Sequence, residues 1–289
     1  MISPIKEVVH YQAGEYLKEI LPAKSVVDTF LFYSGEIEFG LAQSDYLLRC
    51  HTNSYVVYEF WYCVQENPSR LVEIAEHFKE RMDPSTMLLL QGRWAGLKDH
   101  YVRAAMFFML NACSDDGHVS SGKMSLARYN PLLAGRLKYC SFENMRINFY
   151  KDKDFLAGLD YLEDPQYILI PLGKFSYNLL EEGKSYGYET TQVNHTATKL
   201  KIDEIKHKVV ILYKYHKEVL KLYSGYNIIM INKYGKKTLD HQQCRGHARE
   251  LAYADPPSLG RGNRLPALRG VDHAARVPLA VYRVRQGRR

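Results

Sequence analysis

The sequence predicts an α/β fold in which a sheet-forming region is interrupted by an inserted helical segment. Two observations carry that reading. Short apolar, β-branched runs alternate with helix-period segments at both ends of the chain, at 25–32 (SVVDTFLF), 167–170 (YILI), 208–212 (KVVIL) and 226–232 (YNIIMIN). The middle, from 55 to 111, is helical almost throughout and is followed by a long polar stretch at 114–131. Runs of four to eight apolar residues bounded by breakers read as buried strands, and alternation with helices reads as an α/β sheet.

The elements follow in order. Residues 7–21 carry apolar positions at helical spacing and stop at Leu21-Pro22, since the residue before proline disfavours helix. The run at 25–32 is a strand, and Tyr33-Ser34-Gly35 is its turn. Residues 46–50 form a second strand. Helices follow at 55–64, 68–78, 83–91 and 100–111, the second entered through Asn67-Pro68 with Leu71, Ile74, Ala75 and Phe78 on one face. The Gly- and Ser-rich segment 114–131 is aperiodic and is a loop long enough to carry function. Strands at 145–149, 167–170, 208–212 and 226–232 then alternate with helices at 153–162, 193–205 and 216–223. Pro171 and Gly173 close the strand at 167–170.

Of the 289 residues, 46% are hydrophobic and 25% charged, a globular balance. No apolar run approaches the roughly 18 residues that cross a bilayer. The first ten residues lack the apolar core of a signal peptide, so an intracellular, cytoplasmic protein without membrane contact is expected. Five cysteines without CxxC spacing indicate neither a disulfide framework nor a zinc site.

The net charge of +7 suggests nucleic acid, but it is concentrated at one end. Residues 244–289 hold ten arginines, no lysine and three acids, a surplus of seven, which leaves the preceding chain neutral. That Arg-rich tail is expected to be disordered or non-native.

Several short stretches, taken together, resemble the Dam-type, alpha-group DNA adenine-N6 methyltransferases. Ile20-Leu21-Pro22 and Thr29-Phe30-Leu31-Phe32-Tyr33-Ser34-Gly35 stand where the family has "LP" and its glycine-rich cofactor loop. Phe60-Trp61 and Glu66-Asn67-Pro68 resemble the opening of its inserted domain. Residues 104–111 (AAMFFMLN), Asp116-Gly117 and Ser121-Gly122-Lys123 resemble the segments around its DNA-contacting loop. Residues 154–164 and 167–173 fall where the strand carrying "DPPY" belongs, and His195, 209–212 and 222–229 match the closing half. The likeness runs from about Gly14 to Thr238.

The resemblance implies a Rossmann-like S-adenosylmethionine-dependent methyltransferase domain over 1–62 and 142–243. The inserted helical target-recognition subdomain then spans 63–141, and the tail 244–289. It implies cofactor contacts, as vestiges, at Phe32, Ser34, Gly35 and Thr52, and DNA contacts at Lys123, Arg128 and Lys138. The catalytic position falls on Ile170, Pro171, Leu172, Gly173 and Phe175, where no carboxylate stands to orient an adenine amine. The cofactor loop has one glycine and two acids, Glu36 and Glu38, and Gly14-Glu15 reverses the family's Gly-Lys. Between Tyr46 and Tyr58 there is no acid to hold ribose hydroxyls, and His51-Thr52-Asn53 stands there instead.

These departures point to a methyltransferase-like pseudoenzyme acting as a DNA-binding or structural module. Its partners would be duplex DNA or proteins docking on a Tyr-rich surface, with no cofactor unless the S-adenosylmethionine pocket persists. One alternative is an active adenine methyltransferase in which Asp160 or Asp164 supplies the missing carboxylate. Another is an unrelated α/β assembly protein. Cys50 and His51 lack the partner pair of a metal site. Asp115 and Asp116 would repel phosphates. His195 reads as a helix start.

Overall fold

The computed structural model describes residues 3–6, 11–115, 117–120, 123–152, 154–173, 193–231, 237–238, 250–252 and 277–283. Helix α1 (Tyr11–Ile20) leads into strand β1 (Val26–Thr29), helix α2 (Glu36–Ala42) and strand β2 (Leu47–Thr52). A helical block follows, made of α3 (Tyr55–Glu66), α4 (Pro68–Glu80), α5 (Pro84–Arg93), α6 (His100–Cys113) and α7 (Pro131–Lys138). The chain returns through β3 (Met145–Phe149), α8 (Phe155–Gly158), β4 (Tyr167–Gly173), α9 (His195–Glu204), β5 (Lys208–Tyr215), α10 (Lys217–Leu222) and β6 (Asn227–Ile231). Three further strands are β7 (Lys237–Thr238), β8 (Glu250–Ala252) and β9 (Val277–Arg283).

Five strands run parallel in the order β3-β2-β1-β4-β5. Strands β8 and β9 pair antiparallel with both β5 and β6, so β6 points the same way as β5. The α/β class and the strand pattern expected from the sequence are therefore present, and the parallel order is that of a Rossmann-like sheet.

Side chains alternate across the strands and build two apolar layers. On one face Val27, Leu48, Cys50, Leu169, Val210 and Leu212 pack with Leu17, Phe39, Trp61, Leu71, Phe107 and Leu137 from α1–α4, α6 and α7. On the other, Ile168, Ile170, Val209, Ile211 and Tyr213 pack with Phe155, Ile202, Val219 and Tyr223 from α8–α10. The block between β2 and β3 thus shares one continuous apolar cluster with the sheet rather than enclosing a core of its own.

Helix starts follow local chemistry. The Asn67, Asp83, Asp99 and Asn130 side chains accept hydrogen bonds from the backbone of the first turns, and Pro68, Pro84 and Pro131 occupy first-turn positions where no amide is needed.

Several elements differ from the sequence expectation. Helix α2 forms where an acidic loop is expected, because Gly35 turns the chain at φ 72° and the Ser34 hydroxyl accepts from Glu36 N at 3.2 Å. Helix α7 begins at Pro131, the last residue of the expected loop, and runs on through 132–138, where no element is expected. Strand β4 continues past Pro171, whose missing amide falls at a register shift between Pro171 and Gly173. In the Arg-rich tail, where no element is expected, the described residues form β8 and β9 in the sheet.

Cys50, Cys63 and Cys113 are buried and Cys140 is partly so, and none of these four is in a disulfide. Burial pushes the thiols up, Cys63 and Cys140 to about 12 and Cys113 to about 11. The thiolate is the reactive form, so these three cysteines are expected to resist a thiol reagent at neutral pH until the protein unfolds. A folded pKa above the unfolded value of about 8.5 also means that stability is full below that value. It falls as the pH rises through the folded values. Labelling counted by mass spectrometry checks the first statement, and urea melts between neutral and alkaline pH check the second.

Candidate functional site

The parallel strands reverse direction of growth between β1 and β4, and in open α/β sheets ligands bind beyond the strand carboxyl ends at that switch point. The loop after β1, the end of β4 and the ends of β2 and β3 meet there.

Loop 30–35 crosses the sheet edge. Phe30 N donates to Leu169 O at 2.9 Å, and Phe32 N donates to His51 O at 3.0 Å. Leu31 has φ 55° and Gly35 φ 72°, left-handed values that only glycine adopts without strain. Phe32, Tyr33 and Ser34 are buried. A Cβ on Gly35 would stand 2.8 Å from a Phe39 ring carbon and 3.2 Å from one of Phe32. Trp61 packs between these rings, 5.8 Å from Phe32 and 5.4 Å from Phe39, and its indole nitrogen donates to Tyr33 O at 2.7 Å. The loop expected to cradle a cofactor is thus filled from below by aromatic side chains.

Two other segments are laced to it. The Ser3 hydroxyl donates to Ser34 O at 2.7 Å. The Asn111 side chain accepts from Lys6 N at 2.7 Å and donates to Gly117 O at 2.8 Å. The Lys6 ammonium donates to Ala112 O at 2.6 Å and Ser114 O at 2.9 Å, at the carboxyl end of α6 where a cation is favoured. Burial lowers the Lys6 pKa. Gly117 has φ 92°, and a Cβ there would lie 2.5 Å from Lys6 O, so only glycine fits this junction.

At β2, Thr52 is fully buried, and its hydroxyl accepts from Ser54 N at 3.2 Å, bracing the start of α3 rather than facing a ligand. The acid missing from β2 has a counterpart on β1. Asp28, fully buried, accepts from the Arg49 guanidinium at 2.6 Å and lies 2.9 Å from His51 Nε2. The His51 ring stacks on Phe30 at 4.9 Å. No local pattern in the sequence marks this cluster, which forms only through the register Asp28↔Arg49 between β1 and β2. Past β3, an open hollow of ≈ 740 Å³ is lined by Tyr150, Lys151, Asp152 and Tyr161.

At β4, Ile170, Pro171 and Leu172 are buried and Gly173 lies opposite Tyr213. Phe175 lies outside the described residues. His195 begins α9, as expected, and its Nδ1 lies 2.8 Å from the Tyr213 hydroxyl, which is 3.4 Å from that of Tyr223. Burial pushes both tyrosines up, Tyr223 to about 12. Asp164 precedes β4 at its amino end, and seven strand residues span about 20 Å, so it stands across the sheet from Gly173. Asp160 pairs with Lys201 of α9 at 2.6 Å. Neither carboxylate stands at the end of β4.

Lys123, Arg128 and Lys138 are exposed. Arg128 donates to Lys123 O at 3.1 Å, which joins the first two on one loop, while Lys138 ends α7. That loop is closed by a bridge between Ser114 and Met124 and is packed on α4, where Tyr129 donates to Glu76 at 2.6 Å. Among the described residues no cluster of His, Cys, Asp and Glu could hold a metal ion. No helix among them is long and apolar enough to cross a membrane.

Fold and site together define an α/β protein with a Rossmann-like parallel sheet and aromatic packing under the loop at its switch point. No protein-family model matches the chain, and no curated protein matches it either.

Proposed function

We propose that this chain is a methyltransferase-type protein of the Dam-like kind that has lost transfer chemistry and serves as a non-catalytic DNA-binding module. The observation that carries the reading is the packing of loop 30–35. Phe32, Phe39 and Trp61 pack under Gly35, so the one glycine left in the loop serves core packing, where the resemblance expects several glycines for close backbone approach to a cofactor. The hydrophobic end of β4, without a carboxylate, supports it from the other side of the crevice. Fold and site depend on different residues, so the sheet outlasts its chemistry.

In this reading the helical block between β2 and β3 is the target-recognition part. Its loop, moored to the Lys6 segment through Asn111 and Gly117, presents Lys123 and Arg128 to phosphates, with Lys138 alongside. The Asp160 and Asp164 positions weigh against an active adenine methyltransferase with displaced motifs.

Three measurements on the full chain test the proposal. Calorimetric titration with S-adenosylmethionine is expected to give no binding heat, and methyl transfer to duplex DNA none above background. Gel retardation of duplex DNA is expected to weaken uniformly across sequences in Lys123→Glu/Arg128→Glu, by about tenfold, with a shallower salt dependence. Micromolar cofactor binding, or retardation indifferent to the double variant, would sink it.

A further inference from the structure

The outer edge of β3 is a surface that the switch-point site does not use. Among the described residues β3 pairs with β2 alone. Leu48 N donates to Asn144 O, and Tyr150 N donates to Thr52 O, so the even-numbered residues of this segment turn their polar backbone groups inward. These groups alternate along a strand, and those of Ile147 and Phe149 therefore point outward. An open edge of this kind is a template for another strand.

An aromatic stripe runs beside it. Tyr55, Tyr58 and Tyr62 follow one another at helical spacing along α3, and Tyr55 and Tyr62 are each 45% exposed. The Phe149 ring lies 5.7 Å from both Tyr55 and Tyr58, and Tyr58 stacks on Tyr62. Exposed tyrosine and phenylalanine mark the cores of protein interfaces.

We propose that this edge is a homodimer interface in which the β3 strands of two copies pair antiparallel about a two-fold axis at Ile147. A two-fold interface must be self-complementary, and this strand is. Ile147 is the midpoint of β3, so an axis there pairs all five residues with all five. Ile147 meets its own copy as a doubly hydrogen-bonded pair, the outward groups of Phe149 meet the partner's Met145, and Arg146 faces the partner's Asn148. Beyond the strand ends, exposed Glu143 faces the partner's Lys151, and the symmetry makes this contact twice. An axis one residue earlier would set two Arg146 side chains face to face, a destabilising like-charge pair. The interface does not rest on the proposed function, because none of Met145–Phe149 is among the residues assigned to cofactor or DNA.

Sedimentation of the full chain over a range of concentrations tests the proposal. A particle of twice 33.5 kDa is expected. Lys151→Glu puts like charges at both flanks and is expected to weaken self-association about tenfold, while Glu143→Lys/Lys151→Glu restores it. Ile147→Pro removes an outward amide without taking a bond from the β2 ladder and is expected to leave a monomer, its folding checked by circular dichroism. A single 33.5 kDa species at every concentration overturns the interface, as does a dimer unmoved by both Lys151→Glu and Ile147→Pro.

Discussion

Replacing Arg103 by methionine is expected to lower the unfolding free energy by about 3–5 kcal/mol, the cost of leaving a buried charge without its partner. Arg103 on α6 grips Glu59 on α3 with two guanidinium nitrogens, one of them at 2.6 Å, and gives a third bond to Leu97 O. The Glu59 side chain is 6% exposed and that of Arg103 14%, so water cannot replace either group cheaply. The pair holds together two helices of the block that covers the sheet. Changing both residues, as Glu59→Leu/Arg103→Met, is expected to recover most of the loss, because well-packed apolar residues often match or exceed a buried ion pair. Urea melts of the wild type, the single variant and the double variant form the test. A single variant costing less than about 1 kcal/mol would place Glu59 at an exposed surface and refute the argument.

The second large effect is expected at Trp61. Its side chain is fully buried among Phe32, Phe39, Phe60 and Phe142, with ring centroids between 4.9 and 5.9 Å. Trp61→Ala is expected to cost about 3–5 kcal/mol through the cavity it leaves, and about 1 kcal/mol more because Tyr33 O loses its donor. Trp61→Phe keeps much of the volume and loses the hydrogen bond, so its cost should lie well below that of alanine. Equal costs for the two substitutions would mean that the hydrogen bond, and not the packing, holds loop 30–35 in place.

The sheet was legible in the sequence because buried strands are made of short apolar runs, and 25–32, 208–212 and 226–232 have no competing pattern. The Asn67-Pro68 entry announced its helix in the same way, while the caps Asp83 and Asp99 are signals that only the structure brought out. Helix α2 was not legible, since EIEFGLA is seven residues with an internal glycine and takes its form from the Gly35 turn and from packing of Phe39. The signal for α7 was present in Asn130-Pro131, a side-chain cap followed by a proline at the first position.

At the site, sequence could show that β4 ends without a carboxylate, because that is a matter of residue type. It could not show that the space beneath Gly35 is filled, because Trp61 and Phe39 reach it from different helices. The Asp28 cluster was hidden for a similar reason: one acid on β1 meets an arginine and a histidine on β2 only once the strands are in register. The lacing of Lys6 to Asn111 and Gly117 joins residues more than a hundred positions apart in sequence, beyond the reach of any local pattern.

The common apolar cluster that joins the helical block to the sheet has a consequence for how the chain comes apart. A block with its own core could melt by itself and leave a folded remainder. Here α3, α4, α6 and the β1–β2 face lose their cover together, so amides in Phe107's helix and in β1 should exchange through one shared opening. The same arrangement orders events during synthesis. Strand β3 docks on β2 only after the whole block has been made, so a nascent chain carries β1 and β2 as an unfinished edge until then.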